Sequence, residues 1–467
     1  MKWIFLKICT FSIETLLHLK KNITVLAILI CLISSSSVFS QSGFRFFDPN
    51  QKKTRVKFKL INNLIIIPLE INNRKLNFIL DTGVNKTILF NLSDRDSLQL
   101  KNVRRVNLQG LGTGDSVESL LSRNNTFVLN NLISYNESIH LVINDKFDLS
   151  AKMGITINGI IGYRLLKDLI VKIDYNKKYL TFFNPKNNSI PKCKNCEEFR
   201  IELIKNKPYM YVDAQIDTIG TKKTKVKLLI DSGGSDAFWL FEHTKENIVT
   251  PNKHFKDILG EGLSGTIYGN RSRIPKVSIG SYEIEEPTVS FLDTISTKMA
   301  RQVQGRNGSL GGNILKRFRI WIDYPNKRII LKKTGSLKGG FNYNMSGLDI
   351  IHNGRRLVKI KEPPRINTGY GRSSQTSGNT SLSILTTYRY KFRPSYIINN
   401  VLENSPGGEA GLKVGDVILS INRKHAHTFK LSNINKILQS YNNRKIVLVV
   451  ERDGKKMEFK FRLRKII

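Results

Sequence analysis

Two stretches of the sequence follow one pattern. Residues 78–87 read Phe-Ile-Leu-Asp-Thr-Gly-Val-Asn-Lys-Thr, and residues 228–237 read Leu-Leu-Ile-Asp-Ser-Gly-Gly-Ser-Asp-Ala. Each stretch is an apolar run that ends in Asp-Thr/Ser-Gly. A short apolar run closed by a turn signal is typical of a buried strand. The pattern therefore predicts, at both places, a strand that carries a carboxylate to the rim of a core.

A second block also repeats, in the same order. Residues 158–167, Asn-Gly-Ile-Ile-Gly-Tyr-Arg-Leu-Leu-Lys, precede an Ile-Asp-Tyr that contains Asp174. Residues 307–316, Asn-Gly-Ser-Leu-Gly-Gly-Asn-Ile-Leu-Lys, precede an Ile-Asp-Tyr that contains Asp323. Repetition in register at nearly constant spacing indicates two copies of one structural unit. We interpret Asp174 and Asp323 as structural residues at turns or strand ends.

Period-two alternation of apolar and polar residues, as in Val56-Lys57-Phe58-Lys59-Leu60, recurs through both copies. This predicts a mainly β region of two similar lobes, residues 41–192 and residues 193–335. A third, smaller domain of strands and helices is predicted for residues 336–467. It contains an insert at about 363–386 that is rich in Gly, Ser, Thr and Asn, a composition typical of linkers.

If the two lobes meet about a pseudo-twofold axis, Asp81 and Asp231 lie side by side. Two adjacent carboxylates do not both ionise easily and share one proton. The ionised group can take a proton from water while the protonated group donates to a carbonyl oxygen. The Thr82 and Ser232 hydroxyls can bond the partner loop or hold the Asp, and Gly83 and Gly233 permit tight turns.

These motifs resemble the active-site loops of the aspartic proteases, in the single-chain, two-lobed, retropepsin- or pepsin-like form found in bacteria. The resemblance covers roughly residues 56–335 and implies the two-lobed acid-protease β-barrel fold, with Asp81 and Asp231 catalytic. It implies that Thr82, Gly83, Ser232 and Gly233 support the active-site loops. No metal or cofactor is expected, and because both lobes lie in one chain, a monomer suffices for catalysis.

The same family carries a glycine-rich flap about thirty residues after the catalytic Asp. Here that place is taken by Gly110-Leu111-Gly112-Thr113-Gly114. A second glycine-rich stretch, residues 260–265, lies similarly after Asp231. Such loops can close over a substrate and exclude water.

Residues 405–422, Ser-Pro-Gly-Gly-Glu-Ala-Gly-Leu-Lys-Val-Gly-Asp-Val-Ile-Leu-Ser-Ile-Asn, resemble the PDZ domain of bacterial proteases. The resemblance implies a small β-barrel with helices that binds a ligand peptide as an added strand. The helix beside that groove is predicted at 431–441. Gly347 and Leu348 are the candidates for the loop that binds the peptide carboxylate. The alternative is a PDZ fold that serves only as a structural brace.

The first forty residues read as a signal peptide: basic residues, a short apolar run at 23–33, and small residues before position 41. An exported protein of the periplasm, cell envelope or exterior is therefore expected, with a membrane contact only if this segment is retained. The net charge of +38 is high, but the basic residues are scattered and accompany no nucleic-acid-binding motif. No nucleic-acid partner is expected.

Cys193 and Cys196 are the cysteines that follow the predicted signal segment. A zinc site needs four ligands, and a second pair is lacking. In an exported protein this spacing favours a local disulfide, and a free thiol pair is the alternative.

Together these features predict an exported aspartic-type endopeptidase whose Asp81/Asp231 dyad activates water and whose PDZ domain recruits peptide or protein substrates. The alternative is a catalytically inactive relative that binds peptides or acts as a scaffold. Both readings keep the same fold, so cleavage of a substrate distinguishes them.

Overall fold

The structure is a computed structural model that describes residues 43–92, 98–112, 114–143, 149–186, 193–217, 220–362, 365–366, 384–385 and 387–467. The predicted signal peptide (1–40), Thr113 and most of the predicted insert lie outside the described residues. The predicted mainly β fold is confirmed: strands dominate every part of the chain that the structure describes.

The alternating pattern noted above appears in β2, which buries every second residue, whereas the central strands β4 and β5 bury runs of consecutive apolar residues. Its main sheet has the order β1-β9-β6-β10-β5-β4-β8-β7, with β3 paired to β4. The elements of this lobe are β1 (Arg45–Phe46), β2 (Lys53–Lys57), β3 (Lys59–Ile61), β4 (Leu64–Ile71), β5 (Arg74–Leu80), β6 (Thr87–Leu89), β7 (Arg104–Leu108), β8 (Val117–Leu129), β9 (Leu132–Val142), α1 (Leu149–Met153), β10 (Gly159–Ile161), α2 (Tyr163–Leu166), β11 (Ile170–Asp174) and β12 (Tyr179–Phe183).

The second lobe repeats this plan. Its main sheet has the order β18-β19-β22-β17-β23-β16-β15-β20-β21, with β14 paired to β15. Its elements are β13 (Glu197–Arg200), β14 (Glu202–Ile204), β15 (Lys207–Gln215), β16 (Thr224–Ile230), β17 (Phe238–Phe241), β18 (Phe255–Gly262), β19 (Gly265–Arg273), β20 (Lys276–Ile279), β21 (Tyr282–Glu285), β22 (Thr288–Leu292), α3 (Thr294–Thr297), a 3-10 helix (Ala300–Gln302), β23 (Arg306–Leu310), α4 (Gly312–Leu315), β24 (Phe318–Asp323) and β25 (Arg328–Lys333).

A separate sheet joins the two lobes, in the order β13-β25-β24-β11-β12-β2. At its centre β11 and β24 run antiparallel, with Ile173 opposite Ile320. Asp174 and Asp323 end these two strands and accept hydrogen bonds from the backbone of the turns that follow. They also pair with Arg319 and Arg328, at 3.0 and 2.8 Å, so they act structurally here. One hydrophobic core runs through both lobes beneath this sheet.

The C-terminal domain is built on the sheet β26-β29-β30-β32-β33 and has its own core. The predicted helix beside the groove begins at Leu431 as expected but ends at Leu438 rather than 441. The elements are a 3-10 helix (Gly335–Lys338), β26 (Leu348–Lys361), β27 (Arg365–Ile366), β28 (Ile384–Leu385), β29 (Tyr388–Val401), α5 (Pro406–Glu409), β30 (Val417–Ile421), β31 (Lys424–His425), a 3-10 helix (Ala426–Thr428), α6 (Leu431–Leu438), β32 (Lys445–Arg452) and β33 (Lys455–Arg462).

This domain packs directly against both lobes. Helix α1 of the first lobe lies on β26, and a Cβ at position 154 would lie 3.1 Å from the Cβ of Leu431. From the second lobe, Phe255 packs on Tyr343, with ring centroids 5.3 Å apart. The PDZ-like domain is therefore held against the lobes by apolar contacts as well as by its covalent link.

Cys193 and Cys196 form a disulfide in the segment that leads into β13. Within the described ranges, no helix combines the length and apolar character needed to cross a membrane.

Arg317 fixes the segment that connects the second lobe to the C-terminal domain. Its side chain is 3% exposed, and its charged end lies 3.7 Å from the ring centroid of Phe341. The guanidinium donates to the carbonyls of Ser336, Leu337, Gly339 and Gly340. Five donors in a planar fork suit such a cluster of carbonyl oxygens, and a lysine cannot reproduce that geometry.

We predict that Arg317→Met lowers stability by about 2–4 kcal/mol, because it leaves several carbonyls without donors and removes the contact with Phe341. Thermal unfolding and limited proteolysis near residue 338 measure the effect. Lys338→Met, at an exposed position of the same segment, is the matched control. Equal unfolding temperatures and equal cleavage for the two variants would contradict this role of Arg317.

Candidate active site

Each Asp-Thr/Ser-Gly motif follows directly on a strand that is paired on both sides. Strand β5 ends at Leu80 beside the parallel strand β10, and the Asp81 N–H donates to Ile161 O at 2.9 Å. Strand β16 ends at Ile230 beside β23, and the Asp231 N–H donates to Leu310 O at 2.9 Å. The apolar runs of the sequence thus place both carboxylates at equivalent ends of buried strands.

The structure explains why the repeated block of residues 158–167 contains glycine. Gly162 lies under the first motif, where a Cβ would come within 1.9 Å of Asp81 O. No other residue fits so close a backbone approach. Ser309, which stands where the first lobe has an apolar residue, accepts a hydrogen bond from Arg306 at 2.8 Å.

The two motifs are linked across the lobes by four hydrogen bonds. Thr82 Oγ1 donates to Ile230 O at 2.5 Å and accepts from the Ser232 N–H at 3.0 Å. Ser232 Oγ donates to Leu80 O at 2.8 Å and accepts from the Thr82 N–H at 3.0 Å. Both hydroxyls are buried, at 0% and 1% exposure. Each lobe therefore fixes the other's Asp-Thr/Ser-Gly loop through these two hydroxyls.

This link brings the Asp81 and Asp231 carboxyl groups close together, since a Cβ at position 83 would lie 3.0 Å from Asp81 Oδ1 and 3.3 Å from Asp231 Oδ1. A Cβ at position 233 would lie only 2.3 Å from the Asp81 Cγ, which shows how closely the second loop approaches the first carboxylate. The Gly83 N–H donates to Asp81 Oδ1 at 2.6 Å, and the Gly233 N–H donates to Asp231 Oδ1 at 3.1 Å. Gly83 and Gly233 thus hold the carboxylates as well as turn the chain.

The surroundings of the two carboxyl groups differ. Burial raises the pKa of Asp81 to about 7, and repulsion from Asp231 adds to this effect. Burial also raises the pKa of Asp231, but the nearby cations of Arg306 and Lys207 oppose the rise. Both shifts favour one proton shared between the two carboxyl groups, and the pair titrates as one unit.

The predicted flap is the connection between β7 and β8. Gly110, Leu111, Gly112 and Gly114 lie in it, and Thr113 falls outside the described residues. The tip of the β18–β19 hairpin, at Leu263 and Ser264, forms a second flap in the other lobe.

The two flaps are bonded tip to tip. The Gly114 N–H donates to Ser264 O at 2.7 Å, and the Ser264 N–H donates to Leu111 O at 3.1 Å. A Cβ at Gly112 would lie 2.5 Å from the Ser264 backbone, so the glycine allows this contact. The apolar tips also cross over: Leu111 packs on the second lobe's cluster around Trp239, and Leu263 packs on the first lobe's cluster around Met153.

The second flap is also held from outside the cleft. Lys152 of α1 forms an ion pair with Glu261 at 2.7 Å, and both side chains are about three-quarters buried. Thr266 donates to the same carboxylate. Farther along the hairpin, Arg271 bonds Asp236, in the second active-site loop, and Asp257.

Sequence reasoning missed two asparagines that cross between the lobes. Asn63 Nδ2 donates to Ser235 O at 2.8 Å, and Asn85 Nδ2 donates to Lys205 O at 3.1 Å. Each joins a hairpin turn of one lobe to the active-site loop of the other. Asn63 has positive φ, as asparagine tolerates in tight turns, but the sequence carries no signal for its partner in the other lobe.

The structure places Gly347 and Leu348 at the start of β26, away from the dyad. Leu348 is 1% exposed, and its N–H donates to Ser346 Oγ at 3.1 Å. The Ser346 N–H is occupied by Asn344 Oδ1 at 3.0 Å. Donors that would meet a peptide carboxylate are thus bonded within the loop, and a role for Gly347 and Leu348 in peptide binding stays a prediction.

Among the residues that the structure describes, no three His, Cys, Asp or Glu side chains are grouped so that they could hold a metal ion. The Asp81 and Asp231 carboxyl groups supply acid–base chemistry. One can accept a proton and one can donate a proton within a partly buried cleft.

Comparison with known families agrees with this geometry. Residues 67–165, which include Asp81, the first flap and Gly162, match the family model described as aspartyl protease. Residues 397–452 match the model of a PDZ domain. No curated protein sequence matches the chain. The chain thus carries an aspartyl protease domain followed by a C-terminal PDZ domain, the architecture that its sequence predicts.

Proposed function

We propose that this protein is an aspartic-type endopeptidase that hydrolyses peptide bonds with the Asp81/Asp231 dyad. The observation that carries the proposal is the reciprocal bonding of Thr82 and Ser232, which holds two carboxyl groups from two lobes at one place. A pair of turns with only a structural role has no need of such a link.

The mechanism follows from one proton shared by the pair. The ionised carboxyl group of the dyad takes a proton from a water molecule, whose oxygen forms a bond to the peptide carbon. The protonated carboxyl group donates its proton to the carbonyl oxygen, which gives a neutral tetrahedral diol. The C–N bond then breaks as the amine nitrogen takes the proton that came from water, and a hydroxyl of the diol returns its proton to the other carboxylate. This step gives the amine and the carboxylic acid and leaves the dyad with one proton again. The flaps exclude bulk water during these steps.

The remaining parts of the proposal concern the setting of the reaction. The chain supplies both halves of the site, so we propose a catalytic monomer. We propose export, supported by the signal-like residues 1–40 and the Cys193–Cys196 disulfide. We also propose that the PDZ domain recruits peptide or protein substrates, with β26 as the edge strand of its sheet.

Replacing either dyad residue should abolish turnover. We predict that Asp81→Asn and Asp231→Asn each lower kcat/KM by roughly 10³-fold or more on an unfolded protein substrate, because each removes one proton-transfer group. Cleavage is followed by electrophoresis and by release of new amino termini. The exposed Asp213→Asn is the control, and cleavage by the double variant at the wild-type rate would refute the mechanism.

The same replacements should stabilise the fold at high pH. The pKa of Asp81 is raised from 3.8 to about 7 on folding, so the folded state binds the extra proton and loses stability as pH rises from about 4 to 7. We predict that Asp81→Asn unfolds roughly 3–6 °C above wild type at pH 8, with little difference at pH 4.

Differential scanning calorimetry at both pH values tests this prediction, again with Asp213→Asn for comparison. The dependence of the stabilisation on pH decides the interpretation. An increase in unfolding temperature that is the same at pH 4 and pH 8 would show that the side-chain replacement, and not the charge, is responsible. A loss at pH 8 would contradict the raised pKa.

A further inference from the structure

The second lobe has a charged residue, Lys207, at a position where the first lobe has an apolar residue. In the first lobe, Ile66 lies opposite Ile79 in the β4–β5 pair, and continuing that register sets Leu64 across from Asp81. In the second lobe, Tyr209 lies opposite Leu229 in the β15–β16 pair. The same continuation sets Lys207 across from Asp231. One catalytic carboxyl group therefore has an apolar cross-strand neighbour, and the other has a lysine.

The position of Lys207 is at the junction of the two active-site loops. Residues that share a face alternate along a strand, so Lys207 lies on the same face as Tyr209. Leu229, the partner of Tyr209, comes within 3.2 Å of where a Cβ on Gly83 would be. The turn that precedes Lys207 is held to the first lobe by the bond from Asn85 to Lys205 O.

Lys207 differs from the neighbouring cations Arg306 and Lys227, whose side chains have hydrogen-bond or ion-pair partners. Arg306 donates to Gly308 O and Ser309 Oγ, and Lys227 pairs with Glu202 at 2.5 Å. The Lys207 ammonium makes no hydrogen bond or ion pair with any residue that the structure describes. The side chain is partly buried, which makes its charge effective at short range.

The charged groups around Lys207 act on it in opposite directions. The two dyad carboxyl groups attract its charge, whereas Arg306 and Lys205 repel it, and burial lowers its pKa. Since the dyad carries about one negative charge when it shares a proton, the two dyad groups do not neutralise both Lys207 and Arg306. The second lobe's side of the cleft therefore has an excess of positive charge, and the first lobe's side has Leu64.

From this asymmetry we infer that Lys207 determines specificity for acidic substrates: peptides with an Asp or Glu side chain close to the scissile bond. The inference rests on the proposed peptidase function and names its substrate class. Strand neighbours lie about 5 Å apart, and an extended peptide advances about 3.3 Å per residue. A lysine opposite Asp231 therefore reaches substrate side chains within about two residues of the bond that is cut.

The experiment uses pairs of peptides that differ only by Glu or Gln, at each of the three positions on either side of the scissile bond. kcat/KM is measured for the full-length wild type, Lys207→Met and Lys207→Glu. Lys225→Met, at an exposed position of β16, is the matched control. The Glu/Gln ratio within each variant is compared, so that a general loss of activity does not affect the result.

We expect wild type and Lys225→Met to prefer Glu by about tenfold at one or two positions. Lys207→Met should bring the Glu/Gln ratio to about one, and Lys207→Glu should bring it below one, because the introduced carboxylate repels a Glu side chain. The preference should also fall as salt is raised, since it is electrostatic. An equal change in cleavage of Glu and Gln peptides would instead assign Lys207 to the dyad's own electrostatics and overturn the inference.

The experiment distinguishes failure of the specificity inference from failure of the peptidase proposal. If wild type cleaves Gln and Glu peptides equally, the specificity inference is wrong and the peptidase proposal stands. If wild type cleaves no peptide, the peptidase proposal is wrong, and fluorescence anisotropy with the same labelled peptides decides the remaining question. Tighter binding of Glu peptides that is lost in Lys207→Met would support an acidic peptide site, and equal binding would reject it.

Discussion

The crossed bonds of Thr82 and Ser232 are the constraint on which the site depends. Each hydroxyl donates to a carbonyl of the opposite lobe and accepts an N–H from the opposite loop, so neither lobe completes its own loop alone. Their burial makes these bonds costly to leave unmade. The bonds are directional, and they set the spacing of two carboxyl groups that would otherwise repel each other. The sheet that joins β11 to β24 supplies the hydrophobic support for the same arrangement.

Local patterns in the sequence predicted a large part of this structure. The apolar runs before Asp81 and Asp231 are strands, the glycine blocks lie under the active-site loops, and the Ser-Pro-Gly-Gly segment begins helix α5 of a PDZ domain. Each of these features depends on residues near one another in the chain or on a repeat that is visible in it. Duplication was informative because two occurrences in register are much less probable by chance than one.

Contacts between distant segments were beyond such reasoning. The partners of Asn63 and Asn85, the meeting of the flaps at Ser264 and the packing of α1 on the PDZ domain all involve residues far apart in sequence. A polar turn residue has the same pattern whether it faces water or another lobe. The end of α6 at Leu438 also differs from the prediction, because Tyr441 continues the apolar spacing and the Asn442-Asn443 stop signal comes only after it.

The contacts of the second flap with its surroundings have a mechanical meaning. Its hairpin is held near the tip by Lys152 of α1, and at the first residue of β18 by the packing of Phe255 on Tyr343. Helix α1 lies on β26, and Tyr343 belongs to the core of the PDZ domain. The hairpin is thus attached to the first lobe through Lys152 and to the core of the PDZ domain through Tyr343. A movement of the whole hairpin away from the cleft would change both contacts, which couples the second flap mechanically to the C-terminal domain.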